Sequence, residues 1–146
     1  MKSTILTELM IHDHGKIVKM LHDVEKSIGM ELVSTMKVFD TFEWELEKHI
    51  FVEEKAIFTS YSPKNIAQGY RMMPQLIQQH NDLLNKLQVM RKDLTWQRPV
   101  RFEEFRELLL MHKNFEEKSL YPKLDLELSV QQKEEIIKKI REILPS

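Results

Sequence analysis

Apolar residues return at three- and four-residue steps along most of this chain, the spacing that gathers them on one face of a helix. Between Thr4 and about Ile28 the stripe is Leu6, Met10, Ile17, Val18 and Leu21, and Gly29 closes it. A second stripe runs from Glu31 to about Thr59 through Leu32, Met36, Phe39, Leu46, Ile50 and Ile57. Ser60-Tyr-Ser-Pro63 reads as a turn, with Ser62 placed to cap a new helix and Pro63 at its first position. The third main helix is expected from near Met72 to about Leu94, through Leu76, Ile77, Leu83, Leu84 and Leu87. Pro74 leaves two readings upstream: a separate short helix over Lys64 to Gln68, or one longer helix kinked at the proline. After a break at Thr95-Trp-Gln-Arg-Pro99, Phe102, Phe105, Leu108, Leu109 and Phe115 mark a fourth helix up to Tyr121-Pro122. Ser129 reads as the cap of a shorter fifth helix, in which Ile136, Ile137, Ile140 and Ile143 form one apolar edge.

Long helices joined by short links pack most simply as antiparallel neighbours. The expected fold is therefore all-α, an up-down-up-down four-helix bundle with an additional short C-terminal helix. Only three glycines and five prolines interrupt 146 residues, which favours helices over many short strands. That length suits a single domain, 1–146, with a core deep enough to enclose a site.

Charge and composition then remove several classes of function. The 22 Lys+Arg and 23 Asp+Glu leave a net charge of -1, so no overall field favours nucleic acid or an anionic membrane as a partner. No stretch reaches the roughly 18 apolar residues of a membrane span, and the N-terminus shows no leader pattern, so a soluble cytoplasmic protein is expected. With no cysteine, disulfides, thiolate zinc sites, iron–sulfur ligation and cysteine nucleophiles are excluded from this chain's own chemistry. Neither a phosphate loop nor a catalytic triad is apparent. Any metal must be held by nitrogen and oxygen.

One pattern supplies both. His49-Ile-Phe-Val-Glu53-Glu54-Lys55-Ala-Ile-Phe58 in the second helix and His112-Lys-Asn-Phe-Glu116-Glu117-Lys118-Ser-Leu-Tyr121 in the fourth share the form HxxxEEK followed by an aromatic residue three positions on. A weaker echo relates His14 in the first helix to His80 in the third, each within its apolar stripe. The first and second helices thus form one hairpin and the third and fourth a related one, and a pseudo-twofold packing of the two would bring all six residues into one layer. Residues four apart on a helix share a face and lie about 6 Å apart along the axis, so His49 with Glu53, and His112 with Glu116, can approach the same metal pair. Buried carboxylates without partners are costly and must protonate or find a cation. The expected metal ligands are His14, His49, Glu53, His80, His112 and Glu116. Four imidazoles and two carboxylates suit iron, manganese or zinc better than calcium or magnesium, with iron preferred. If both carboxylates bridge and each metal takes two imidazoles, room remains for an oxo or hydroxo bridge and an exogenous ligand.

A single core histidine or a single HxxxE pair is more often structural than metal-binding, and it is the repetition that favours ligation here. His12 and His22 are expected to be non-ligands. Glu54, Glu117, Lys55 and Lys118 read as the solvated side of the repeat. Glu45, one turn before His49, reads either as an acid behind the site or as a surface group. Met10, Met73 and Met111 read as packing. Tyr61, Tyr70, Tyr121, Trp44 and Trp96 read as structural or interfacial.

The ordered set of His14, His49 with Glu53, His80, and His112 with Glu116 resembles the hemerythrin-like cation-binding family over about Leu9 to Tyr121. The resemblance implies an up-down-up-down bundle holding two iron ions bridged by carboxylates. It is stronger than any likeness to ferritin-type sites, which use ExxH pairs. Oxygen-carrying hemerythrins have a further histidine one turn before the third-helix ligand and HxxxxD on the fourth helix. Here Leu76 and the Glu116 spacing depart from that pattern. The expectation accordingly moves from oxygen transport to binding or sensing of oxygen or nitric oxide, or to iron handling. The alternative is an oxidoreductase or repair protein that reduces nitric oxide or peroxide or donates iron, for which the sequence names no redox partner.

Overall fold

The computed structural model describes residues 5–64 and 66–143, without the side chains of residues 66 and 68–70. Among these residues there is helix and no strand. The α-helices are α1 (Ile5–Lys26), α2 (Leu32–Val52), α3 (Ile66–Thr95), α4 (Phe102–Phe115), α5 (Tyr121–Glu127) and α6 (Val130–Ile143). Two π-helical segments, Glu53–Ile57 and Glu116–Leu120, extend α2 and α4, and a 3-10 turn over Phe58–Ser60 follows the first.

Local chemistry explains the ends. Gly29 has φ +99, a backbone state that costs glycine little, and it turns the chain out of α1. Two side chains then hold the α1–α2 turn: Ser27 Oγ donates to the Val24 carbonyl at 2.6 Å and Thr35 Oγ1 to the Ser27 carbonyl at 2.8 Å. Ser129 caps α6 as expected. Its Oγ accepts from the Gln132 backbone N–H at 3.1 Å, while Gln132 Oε1 accepts from the Ser129 N–H at 2.8 Å, a reciprocal capping box.

Other boundaries differ from the sequence pattern. Pro74 lies inside α3, a single helix from Ile66, which selects the one longer helix of the two readings over the separate short one. Within the short helix expected over Lys64 to Gln68, Asn65 lies outside the described residues and Ile66 onward belongs to α3. Thr4, the expected start of the first helix, also lies outside them. Ser62 does not cap α3, which begins beyond it. The intervening chain is held instead by Glu127, which accepts from the Lys64 backbone N–H at 2.7 Å and the Tyr61 hydroxyl at 3.0 Å. The fourth helix, counted through its π segment, ends at Leu120, and Tyr121-Pro122 open α5 directly after it, where the sequence pattern sets the limit. Pro122 occupies the first turn of α5, where a backbone N–H has no partner within the helix and its loss is tolerated.

α1 packs on α2 and α4, and α3 packs on the same two helices, so the four long helices form a closed ring of neighbours compatible with a four-helix bundle. Its interior holds two apolar clusters. One contains Ile17, Leu21, Phe39, Phe42, Leu83 and Phe105, with Phe42 edge-on to Phe105 at 5.8 Å. The other contains Leu6, Met10, Ala56, Leu76, Leu120 and Leu124, and α6 covers it with Ile136 and Ile140. Burying each such aliphatic or aromatic side chain contributes about 1.5–3 kcal/mol, which offsets the cost of the polar layer lying between the clusters. No helix among the described residues is long and apolar enough to cross a membrane.

Candidate metal centre

The polar layer consists of the six residues that the repeat singles out. His14 comes from α1, His49 from α2, His80 from α3 and His112 from α4, while Glu53 and Glu116 each open a π segment. All six are buried, and both glutamates are wholly so at 0% exposure. They divide into two overlapping groups. His14, His49, Glu53 and Glu116 present ligand atoms within 4.8 Å of one another, as do Glu53, His80, His112 and Glu116. Each group draws its imidazoles from one hairpin, and the two groups share both carboxylates. The paired rings lie 4.7 Å apart for His14 and His49 and 4.8 Å apart for His80 and His112.

All four histidines turn Nε2 toward the shared carboxylates. His14 Nε2 lies 2.9 Å from Glu116 Oε1, and His80 Nε2 lies 2.9 Å from Glu53 Oε1, so each hairpin reaches into the other. His112 Nε2 is 3.1 Å from Glu116 Oε1 and His49 Nε2 is 3.6 Å from Glu53 Oε1. Even so, His49 Nε2, His112 Nε2 and Glu116 Oε2 are buried without a hydrogen-bond partner. A buried unsatisfied polar group costs about 1–3 kcal/mol, and here three of them converge on one space. The donor set and these orphaned atoms fit bound cations, which would take up the lone pairs that the protein leaves unmatched.

The electrostatics are those of a crowded buried layer. Burial opposes ionisation of Glu53, but His49, the Glu116 hydrogen bond and His80 hold its carboxyl well below the usual range. Burial and the Glu53 charge push Glu116 well above that range. Burial pushes His112 down to about 3 and also lowers His14. His80 moves the other way, because its bonds to Glu53 and Glu54 outweigh burial.

Behind each imidazole stands an acceptor for Nδ1–H. His14 donates to Glu117 at 2.8 Å, His49 to Asp13 at 3.2 Å, His80 to Glu54 at 2.8 Å and His112 to Gln79 at 2.7 Å. Such partners fix the ring and its tautomer, leaving Nε2 free to ligate. Glu54 and Glu117 are therefore not merely the solvated side of the repeat: they bridge surface and site. Their signal was present in the doubled EEK, but its meaning required knowing which helix faces which.

The two aromatic residues of the repeat also enter the layer. Phe58 stacks on His80 at 5.6 Å and Tyr121 on His14 at 5.5 Å. The Tyr121 hydroxyl lies 3.0 Å from Glu53 Oε2, 3.3 Å from Glu116 Oε1 and 3.2 Å from His14 Nε2. Burial and the Glu53 charge raise its pKa well above the ordinary value, so it remains a protonated donor. Sequence reasoning missed this role because position +5 from a ligand is turned about 140° away in an ordinary α-helix. In the π segment, Tyr121 N–H bonds to the Glu116 carbonyl and Phe58 N–H to that of Glu53, which stacks each aromatic almost over its glutamate.

The other named residues stand apart. His12 and His22 are exposed. Glu45, half-buried, pairs with Lys16 at 3.2 Å and Lys48 at 3.0 Å rather than with any of the six. Met10 is buried in the apolar cluster beside α6, Met73 packs against it, and Met111 is exposed.

The family model for the hemerythrin HHE cation binding domain matches residues 5–124. The chain belongs to this family. No curated protein and no solved structure gives a significant match. Family membership and the two buried His/Glu groups, each able to hold a cation, together point to metal binding. Leu76, at the place where oxygen carriers have a further histidine, is wholly buried in the apolar cluster. A narrow crevice lined by Ile17, Val18, Leu46, Ile50 and Leu109, with Lys113 also on its wall, adjoins His14, His49 and His112 and gives the layer a mainly apolar flank.

Proposed function

We propose that this is a non-haem di-iron protein that binds or senses a small diatomic ligand, oxygen or nitric oxide. The observation that carries the reading is the two pairs of histidines sharing two buried glutamates, with three polar atoms left unmatched between them. His14 and His49 would hold one ion, His80 and His112 the other, and Glu53 and Glu116 would bridge them. A ferrous pair bound there supplies reversible binding of a diatomic ligand. The protein's own part is to orient the imidazoles through Nδ1, to keep a donor at the Tyr121 hydroxyl, and to exclude water with the apolar flank. The two clusters support an up-down-up-down order, since one draws on the later parts of α1 and α3 and on α2 and α4 ahead of their glutamates, while the other draws on the start of α1 and the segments that follow those glutamates.

Anaerobic reconstitution with ferrous iron, followed by metal analysis and absorption spectra under oxygen or nitric oxide, tests this. Two irons per chain and a reversible spectral change are expected. Retention of no metal would overturn the assignment. The buried phenol favours a second reading, because Tyr121 O–H is a hydrogen-bond donor beside the carboxylates, where a reacting ligand would gain charge. Multiple turnover with an added electron donor would select that oxidoreductase reading.

A further inference from the structure

The two halves of the centre match in their ligands but not in what stands behind them. The His14/His49 half is backed by two carboxylates, Glu117 and Asp13, whereas the His80/His112 half is backed by one carboxylate, Glu54, and one amide, Gln79. Gln79 is the counterpart of Asp13: each immediately precedes a ligand histidine and reaches across to the second histidine of its own hairpin. At 7% exposure and 2.7 Å from His112 Nδ1, Gln79 is no incidental contact. The aromatic residues add to the inequality, with the Tyr121 hydroxyl beside His14 and the plain Phe58 ring against His80.

A carboxylate accepting the imidazole N–H makes the opposite nitrogen a better donor and adds negative charge behind it, whereas an amide fixes the ring with far less of either effect. We propose that Gln79 makes the two metal positions unequal, so that the His14/His49 position fills first and the His80/His112 position second and more weakly. Gln79 is a positioning residue in this role, acting through His112. The inference rests on the two-metal reading above and concerns affinity alone.

Calorimetric titration of the metal-free protein with cobalt(II), read alongside the cobalt absorption bands, tests it without reference to any activity. The wild-type chain is expected to bind two ions in resolved steps. Gln79→Glu should strengthen the weaker step by about 10- to 100-fold and draw the steps together. Asp13→Asn should weaken the stronger step by a similar factor. Gln78→Glu adds the same charge one residue away, where the side chain is exposed and bonds Asp82, and should leave both steps in place. Circular dichroism of each variant checks that the helices persist. Two equal steps in the wild type, or equal responses to Gln78→Glu and Gln79→Glu, would overturn the proposal while leaving the two-metal reading intact. Binding of fewer than two ions by the wild type would overturn both.

Discussion

Glu53 and Glu54 are neighbours in the chain with different tasks, and so are Glu116 and Glu117. The first of each pair is wholly buried and offers oxygen to both metal groups, whereas the second orients one histidine from outside. Glu53→Ala or Glu116→Ala should therefore empty both positions. Glu54→Ala should lower affinity at the His80 side by about 10- to 100-fold. Metal content after dialysis against a fixed weak chelator separates these cases, and equal losses from all three variants would refute the division. Tyr121 makes a further residue-level case, because its hydroxyl is the one phenolic group reaching the shared carboxylates among the described residues. Tyr121→Phe should cost the metal-free protein about 1.5–3 kcal/mol, the range for a hydrogen bond to a charged group. Urea unfolding measures this, and an unchanged midpoint would show that the bond contributes nothing net.

Among the elements, α6 is the least tied to the ring of four, yet it closes the apolar cluster with Ile136 and Ile140. Its start depends on the reciprocal bonds between Ser129 and Gln132. Ser129→Ala should cost about 1 kcal/mol in urea unfolding, with Ser129→Asp restoring most of it; a full cost in both variants would place the effect elsewhere than in capping. This helix and its cap were legible in the sequence because the serine and the isoleucine edge are local signals. The long helices were legible for the same reason, from stripes of Leu, Ile and Phe. The π segments were not, because the spacing from His49 to Glu53 and from His112 to Glu116 is ordinary α spacing and the wider turn begins only at each glutamate. Pro74 left two readings open because a local rule reads a proline as an interruption, and the folded chain selects between them: α3 runs through Pro74, whereas Pro122 stands in the first turn of α5.

At the scale of the whole molecule, the six-residue set was legible because the chain states it twice, once per hairpin, and a bundle has one central layer in which both statements meet. The acceptors behind it were not: Asp13 and Gln79 sit beside one histidine in sequence and serve another across a helix interface. The same layer divides the core, so the two apolar clusters are separated by four imidazoles and two carboxylates, three of whose atoms lack a hydrogen-bond partner. Metal that binds the folded chain and not the unfolded one adds stability in proportion to the logarithm of its excess over Kd, about 4 kcal/mol at a thousandfold excess. For a domain of this size each kcal/mol moves Tm by about 2–4 °C, so iron-loaded protein should melt roughly 8–16 °C above chelator-treated protein. A Glu53→Ala/Glu116→Ala variant should show no such difference, since it lacks the atoms that both positions share. Scanning calorimetry with and without chelator decides the matter. If iron is retained yet Tm does not move, the metal is held outside the layer that joins the two halves of the core.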